Sequence, residues 1–557
     1  MKNSCLLRVP EPLSAAVVVL ALLLCCLCTS VWAADAPDVG TIQQQMEQLR
    51  QRAPGAEPAK PPAAPSTAER AEAADSADTG PKLMVGTFDF SGNTLVTKDA
   101  LQAAVASYTG RTISFTALQR AADAVAAAYR RAGWIVQAYV PPQEVAEGRV
   151  KITIVEARFG GVELEGVPPA RIGADVLKAR ILARQPVGQP LQAQVLDRAL
   201  LIADDLPGVR VSGTLTMGEL EGQTRLLLQT ADKPLLSGLV LADNTGSRQT
   251  GAHRLLASVQ VASPLKQGDL LGLTALKSKG LQYAYANYSL PVGADGWRAG
   301  VAVSDMHYSA SAADNRTEGS SRTFGADASY PLLRSLNRNL NLSLNVERKS
   351  LQTDLQPDGS KVNKLGVGLA FSQVNASGAG YTRAALGIVR GTVAGNPDAA
   401  ARFHKLTYSV SRQQQLLPRL SLQAQLTGQA SSQRLDSSEK FFLGGASGVR
   451  AYPISEGGGV RGQLLNLELH LQVAPRVQVA VFQDIGRVSD PANARVPSGT
   501  LRGAGAQVNW RGAQGQDVRI SYAQRQGSNP FANPTSGNDG DGSRVRHRVW
   551  VTASMKF

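Results

Sequence analysis

Cysteine is nearly missing from this 557-residue chain: all four, Cys5, Cys25, Cys26 and Cys28, lie before residue 29. Neither a disulfide framework nor a thiolate metal site is expected in the remainder. Histidine is almost as scarce, with His253, His307, His404, His470 and His547 scattered singly and no zinc-type spacing among them. There is no Gly-x-Ser-x-Gly elbow, no Gly-Lys-Ser/Thr phosphate loop and no dinucleotide fingerprint after a strand. The expectation is therefore no enzyme, no cofactor and no metal. Aromatic residues make up 5% of the chain, and no Lys/Arg stripe is interleaved with them, so the net charge of +14 does not point to nucleic acid. Basic residues facing a pore or anionic lipid headgroups account for that excess instead.

What is present begins with a leader. Residues 1–33 combine Lys2 and Arg8, an apolar run over 15–27 and Val31-Trp32-Ala33 as a small-residue cleavage site, which is the pattern of a secretory signal peptide. The run is shorter than the roughly 20 apolar residues a membrane span needs. Removing that leader leaves a net charge of about +13. Within 34–52, Ile42, Met46 and Leu49 fall on one face of a short amphipathic helix over 41–52, opened by a Thr41-x-x-Gln44 capping box. Residues 53–81 are Pro-, Ala- and Glu-rich with almost no large apolar side chain, a composition that links but cannot form a core.

Residues 82–232 contain one order of elements twice, strand-helix-helix-strand-strand, with units at 82–157 and 158–232. The first has strands at 83–90, 134–140 and 149–156 and helices at 97–107 and 114–132. The second has strands at 159–164, 209–216 and 224–230, with helices near 174–183 and 191–204.

From 233 to 557 helical periodicity stops and sixteen alternating segments take over. Leu340, Leu342, Leu344 and Val346 oppose Asn341, Ser343, Asn345 and Glu347, and Leu420, Leu422, Ala424 and Leu426 oppose Ser421, Gln423, Gln425 and Thr427. A water-soluble sandwich also alternates. Connection lengths separate the two: tight turns (264–267, 375–378, 474–475, 512–515) alternate with long loops (309–320, 351–361, 431–460, 527–543), the asymmetry of an outer-membrane barrel. The last strand places Val549, Val551, Ala553, Met555 and the terminal Phe557 on one face, the aromatic suiting an interfacial girdle.

One loop is dense in special residues. It reads Phe441-Phe442-Leu443-Gly444-Gly445-Ala446-Ser447-Gly448-Val449-Arg450-Ala451-Tyr452-Pro453, where clustered glycines allow a folded-back path and Arg450 offers a planar donor for a carboxylate. A partner lies further on. If Val477, Val479 and Val481 face lipid, then Gln478, Ala480, Phe482 and Asp484 face the lumen, and Asp484 either meets Arg450 or simply lines the pore. His470 with Asn466, Glu468 and Gln472 reads as a solvated lumen face, and Gly503-Ala504-Gly505 as barrel backbone.

These residues resemble the two-partner secretion transporters, a branch of the superfamily that also contains the barrel-assembly factors. That family's Val-Arg-Gly-Tyr loop signature is similar to Val449-Arg450-Ala451-Tyr452, preceded by Gly448. Its Phe-x-Asp-x-Gly strand motif matches Phe482, Asp484 and Gly486, and Asp243-Asn244-x-Gly246-Ser247 with Thr250-Gly251 looks like its first hairpin. Ala451 in place of Gly is a departure that puts the loop's backbone geometry in question if that position needs a positive φ. The resemblance implies an α+β periplasmic part of two polypeptide-transport-associated (POTRA) domains, followed by a 16-stranded antiparallel transmembrane β-barrel in the outer membrane of a Gram-negative bacterium. It implies a plug helix at 34–52 and translocation of one large unfolded exoprotein of adhesin, haemolysin or contact-dependent toxin type. The client is taken up by POTRA strand addition, and the helix and loop fill the lumen at rest. Outer-membrane lipid is a further implied partner, with periplasmic chaperones and the barrel-assembly machinery during biogenesis. A barrel-assembly or insertase role shares the architecture and stays open; a diffusion porin has no use for 82–232.

Overall fold

A strand that is apolar on one face and polar on the other leaves both an edge and a greasy surface to be satisfied; closing many such strands into a cylinder removes the edge, and lipid covers the surface. The computed structural model of the protein describes residues 38–52, 82–145, 147–312, 315–354, 356–493 and 497–557. The leader expected at 1–33 and the linker expected at 53–81 lie outside the described residues.

Helix α1 (Val39–Arg52) starts before the expected Thr41 cap, with the Ile42 N–H on the Asp38 carbonyl at 3.2 Å. The Thr41/Gln44 capping box is not used, because the Gln44 side chain donates instead to the Lys440 carbonyl of a distant loop.

In the first α/β unit the strand expected at 83–90 is divided at Gly86. The Gly86 and Thr87 N–H groups both turn onto the Gly148 carbonyl, at 2.7 and 3.3 Å. Strand β1 (Lys82–Val85) therefore leaves the main sheet and pairs with β3 (Arg111–Ser114). Strand β2 (Thr87–Ser91) joins a three-stranded sheet, parallel to β5 (Arg149–Glu156), with β4 (Val136–Tyr139) antiparallel on the other side. Helices α2 (Lys98–Val105) and α3 (Phe115–Arg131) cover it with Leu101, Leu118, Ala122, Val125 and Tyr129. Ser114 caps α3 by accepting the Ala117 N–H at 3.2 Å.

The second unit repeats this topology. Strand β6 (Arg158–Glu165) runs parallel to β8 (Gln223–Asp232), β7 (Val209–Met217) pairs antiparallel with β8, and α4 (Ala174–Leu182) and α5 (Ala193–Asp204) pack on the sheet. It is seated on the short-turn rim of the barrel, where Arg334 grips Asp205 through two nitrogens at 2.7 and 2.8 Å and Arg184 meets Asp295 at 2.8 Å.

Sixteen antiparallel strands close the barrel. They are β9 (Leu236–Asp243), β10 (Arg254–Ala262), β11 (Leu270–Lys277), β12 (Leu281–Val292), β13 (Trp297–Ala312), β14 (Asn315–Arg334), β15 (Arg338–Thr353) and β16 (Gln356–Val374). After them come β17 (Gly380–Ala394), β18 (Arg402–Leu417) and β19 (Leu420–Ala430). Two loop strands follow, β20 (Phe441–Phe442) and β21 (Gly458–Gly459), and then β22 (Arg461–Ala474), β23 (Val477–Ser489), β24 (Gly499–Arg511), β25 (Gln516–Arg525) and β26 (His547–Lys556). The alternation expected from sequence is realised: Val346 is 57% exposed and Val481 58%, while Lys349 and Asp484 on the opposite faces are fully buried.

Two connections differ from expectation. The described residues of 309–320 and 351–361 are not loop but ladder, with Ser309 paired to Glu318 and Leu351 to Ser360. Their exposed side chains are polar (Ser311, Arg316, Glu318, Gln352) and the apolar Ala310 and Leu351 turn inward, so the lipid-facing apolar signal stops although the backbone pairing continues beyond the membrane. The segments 431–460 and 527–543 do leave the sheet.

The seam between β26 and β9 is the shortest ladder of the barrel, running from Thr552↔Asp243 to Lys556↔Leu239. Asn244 lengthens it, donating to the Val549 carbonyl at 3.0 Å and accepting the Val551 N–H at 2.8 Å. At the other end Phe557 exchanges two backbone bonds with Gly238, whose missing side chain leaves room for the terminal ring.

Candidate functional site

The lumen is filled by two segments, α1 and the 431–460 loop. Ile42 and Met46 are buried in a cluster with Leu256, Tyr283, Met306, Tyr308 and Phe403 of the inner wall, and Leu49 packs against its margin. Polar positions of the helix are engaged as well: Gln43 reaches Thr323 at 3.2 Å, and Gln45 reaches Ser455 at 2.8 Å.

The loop folds back on itself through the β20/β21 ribbon and a bond from the Val449 N–H to the Leu443 carbonyl at 2.7 Å. This delivers Arg450 to the wall. Its Nε and one terminal nitrogen hold the two oxygens of Asp484 at 2.9 and 2.7 Å, and its own backbone N–H donates to the same carboxylate at 3.0 Å. The other terminal nitrogen meets Glu468 at 2.8 Å, and the guanidinium lies 3.4 Å from the centre of the Phe482 ring. Asn466 ties the assembly together, donating to Asp484 at 2.7 Å and to the Gly448 carbonyl at 3.1 Å. Trp550 of β26 donates to the Arg450 carbonyl at 2.7 Å. Tyr452 is fully buried, with Arg525 stacked over its ring.

Arg450 therefore meets Asp484, the alternative that sequence left open against a merely pore-lining carboxylate. Glu468, Asn466 and His470 are not the solvated lumen residues they read as: Glu468 bridges Arg450 and His470, which lies 3.0 Å from it. Two glycines make the fit. A β-carbon on Gly486 would lie 2.7 Å from Leu443, and one on Gly503 would lie 2.8 Å from the Ala451 methyl. Ala451 is not among the residues with positive φ, so its side chain carries no backbone penalty.

A second cluster was not read from the sequence. Lys349, Lys364 and Lys405 project inward from β15, β16 and β18 and share three carboxylates. Glu439 of the loop lies 2.8 Å from Lys349, 3.3 Å from Lys364 and 2.6 Å from Lys405. Glu347 of the wall lies 3.0 Å from Lys364, and Glu47 of α1 lies 2.6 Å from Lys349. Three charges of each sign balance. The inward direction of Lys349 followed from the alternation of β15, but nothing in the chain order signals that Glu47 and Glu439 meet there.

The far end of the loop is fixed to another. Glu456 accepts from Asn529 at 2.7 Å and from the Gly540 N–H at 2.8 Å, beside Asp539 and Asp541. Those two aspartates are themselves held by Arg525 and Arg548. Burial pushes the Glu456 carboxyl up to about 7, the two hydrogen bonds oppose the shift, and the neighbouring aspartates add to it.

A closed barrel with an apolar outer wall, α/β units on its short-turn rim and a lumen stopped by a helix and a loop defines an outer-membrane transporter of POTRA-and-barrel architecture. Residues 222–510 match the family described as haemolysin secretion/activation protein ShlB/FhaC/HecB, and the chain belongs to it. Residues 83–157 match the POTRA domain, ShlB-type. The heme/hemopexin transporter protein HuxB of Haemophilus influenzae is 27% identical over 567 residues, covering 95% of this chain and 97% of its own. The outer membrane transporter CdiB of Escherichia coli is 24% identical over 463 residues, 77% of each chain. The solved structure of CdiB from Escherichia coli superposes with a TM-score of 0.71 at 22% identity, over 93% of this chain and 98% of that one. BamA from Haemophilus ducreyi lacking POTRA domains 1–3 gives 0.51 at 13% identity, over 86% of this chain and 100% of that one. The protein is an outer-membrane transporter of the two-partner secretion kind, whose cargo is a partner exoprotein.

Two outcomes follow. Arg450→Ala leaves Asp484 buried and uncompensated, a loss of about 3–5 kcal/mol; limited proteolysis of the detergent-purified variant should cut within 431–460 where the parent is resistant, and Arg450→Lys should not restore resistance because one ammonium cannot span both oxygens. For Glu456 the folded value of about 7 exceeds the ordinary 4.5, so its contribution is complete below about 4.5 and is lost as pH rises through 7. Protection of the 527–546 amides, taken relative to their intrinsic exchange rate at each pH, should fall between about pH 4.5 and pH 7, and Glu456→Gln should flatten that fall.

Proposed function

We propose that this chain passes one large exoprotein through its own lumen as an extended polypeptide, and that α1 is the stopper which client engagement removes. The carrying observation is that Glu47 of α1 and Glu439 of the loop share the same buried lysines. Withdrawing α1 removes one carboxylate of three and leaves the wall lysines in excess. That imbalance is tolerable only once water enters, so the helix-in state is favoured until something compensates. The expected sequence of events is release of α1, then of the Glu439 end of the loop, with the Arg450 anchor holding the loop's middle to the wall throughout.

The α/β units sit where a client arrives from the periplasm. Exposed sheet edges such as β7 accept an extended segment through main-chain bonds, giving affinity without demanding one sequence. No nucleotide-binding motif occurs in the sequence. Folding of the client outside the cell is the term that draws it forward, because removal at one face shifts the passage by mass action.

Similarity to a barrel-assembly protein extends only to the fold, and one experiment separates the readings. Culture supernatant compared with and without this gene should lack a single very large protein; depletion of many membrane barrels instead would support the insertase reading.

For the stopper itself, planar-bilayer conductance should rise after deletion of 34–52. Glu47→Gln should raise the open fraction roughly 10- to 150-fold, the equivalent of about 1.5–3 kcal/mol for a hydrogen bond to a charged group. Unchanged conductance in both would remove α1 from the account.

A further inference from the structure

The lipid-facing wall ends, toward the long-loop rim, in a band of cations. Pairing register sets Ala328, Leu344, Val367, Ile388 and Leu406 side by side across β14–β18, an unbroken apolar row. One to three outward positions further toward the rim, each of these strands presents a base: Arg322, Arg348, Lys361, Arg390 and Arg402. Neighbouring strands are roughly 4.8 Å apart, so the five bases fall within a patch about 20 Å wide.

Their pairing differs sharply from that of the lysines on the inner face of the same strands. Arg322 is matched by Asp305 at 2.8 Å. Arg348, Lys361, Arg390 and Arg402 are exposed, and among the described residues none has a hydrogen-bonded or ion-paired side-chain partner. Inside the wall Lys349, Lys364 and Lys405 are each met by a carboxylate at 3.0 Å or less. A concentration of unmatched cations repels itself unless an anion from outside the chain sits among them. Because the apolar row lies directly beneath, that anion belongs to a molecule presenting phosphate beside acyl chains. A nucleic acid or an acidic peptide has no means of covering both.

We propose that the outer faces of β14–β18 form a docking site for a phosphorylated glycolipid of the outer leaflet, of the lipopolysaccharide class, with Arg348, Lys361, Arg390 and Arg402 binding its phosphates while its acyl chains lie on the row containing Leu344 and Ile388.

The test titrates purified lipopolysaccharide against the full mature protein in neutral detergent, with bound lipid counted by native mass spectrometry. Substituting Arg348→Gln, Lys361→Gln, Arg390→Gln and Arg402→Gln together should weaken binding at least tenfold, whereas Arg338→Gln with Arg419→Gln at the opposite rim should leave it unchanged. On the unmodified protein, enzymatically dephosphorylated lipid should bind at least tenfold more weakly, and millimolar inorganic phosphate should not displace the intact lipid. That arm stands even if the fourfold variant fails to fold. Equal binding of the dephosphorylated lipid, full retention by a folded fourfold variant, or displacement by free phosphate would each overturn the assignment.

Discussion

A charge held in a poorly hydrated lumen must find its opposite there, and in this protein the opposite repeatedly belongs to a distant segment of the chain. Removing one member of such a pair is strongly destabilising because the survivor stays buried. Arg450 comes from a loop and Asp484 from the wall; Lys349 comes from the wall, Glu439 from the loop and Glu47 from a helix nearly four hundred residues earlier. The pairing requirement is what draws the loop and the helix inward. The barrel supplies a frame on which these demands are placed at fixed heights.

The loop is consequently held at three points of different character. Its first end is fixed by Glu439 to three lysines, its middle by Arg450 to Asp484 and Glu468, and its last part by Glu456 to the neighbouring outer loop. Of these ion-paired or carboxylate anchors only the first includes α1, although Gln45 of the helix also reaches Ser455 beside the last. Such an arrangement lets the helix depart at the cost of one anchor while Arg450 continues to hold the loop to β23. On the periplasmic side, the second α/β unit is clamped to the short turns by Arg334 and Arg184, so movement there is felt directly by the barrel rim.

Strand alternation made the barrel legible, since residue parity along β15 and β23 gives the inward or outward direction of every side chain without reference to its neighbours. The same parity brought Asp484 to the lumen, where Arg450 meets it. Parity does not give height, however. The neutral set of Lys349, Lys364, Lys405, Glu347, Glu439 and Glu47 depends on strand register and tilt, and therefore could not be assembled from chain order. The extended hairpins were hidden for a related reason: beyond the membrane the outward face turns polar, and the lipid-facing hydrophobic signal disappears while backbone pairing continues. At Thr41 and Gln44 local preference was overridden by a tertiary partner, the Lys440 carbonyl. Ala451 behaved as an ordinary loop residue because the space that a glycine signature suggests is supplied across the contact, by Gly503.

The absence of cysteine after residue 28 makes the central claim directly accessible. With Gln43→Cys on α1 and Thr323→Cys on β14, positions whose present side chains meet at 3.2 Å between Nε2 and Oγ1, a short reducible thiol-to-thiol cross-linker joining the pair fixes the helix in the lumen. Client appearing in the medium is then measured with and without reductant. The account predicts no secretion while the bridge is intact and recovery once it is reduced; undiminished secretion from the bridged protein would contradict it.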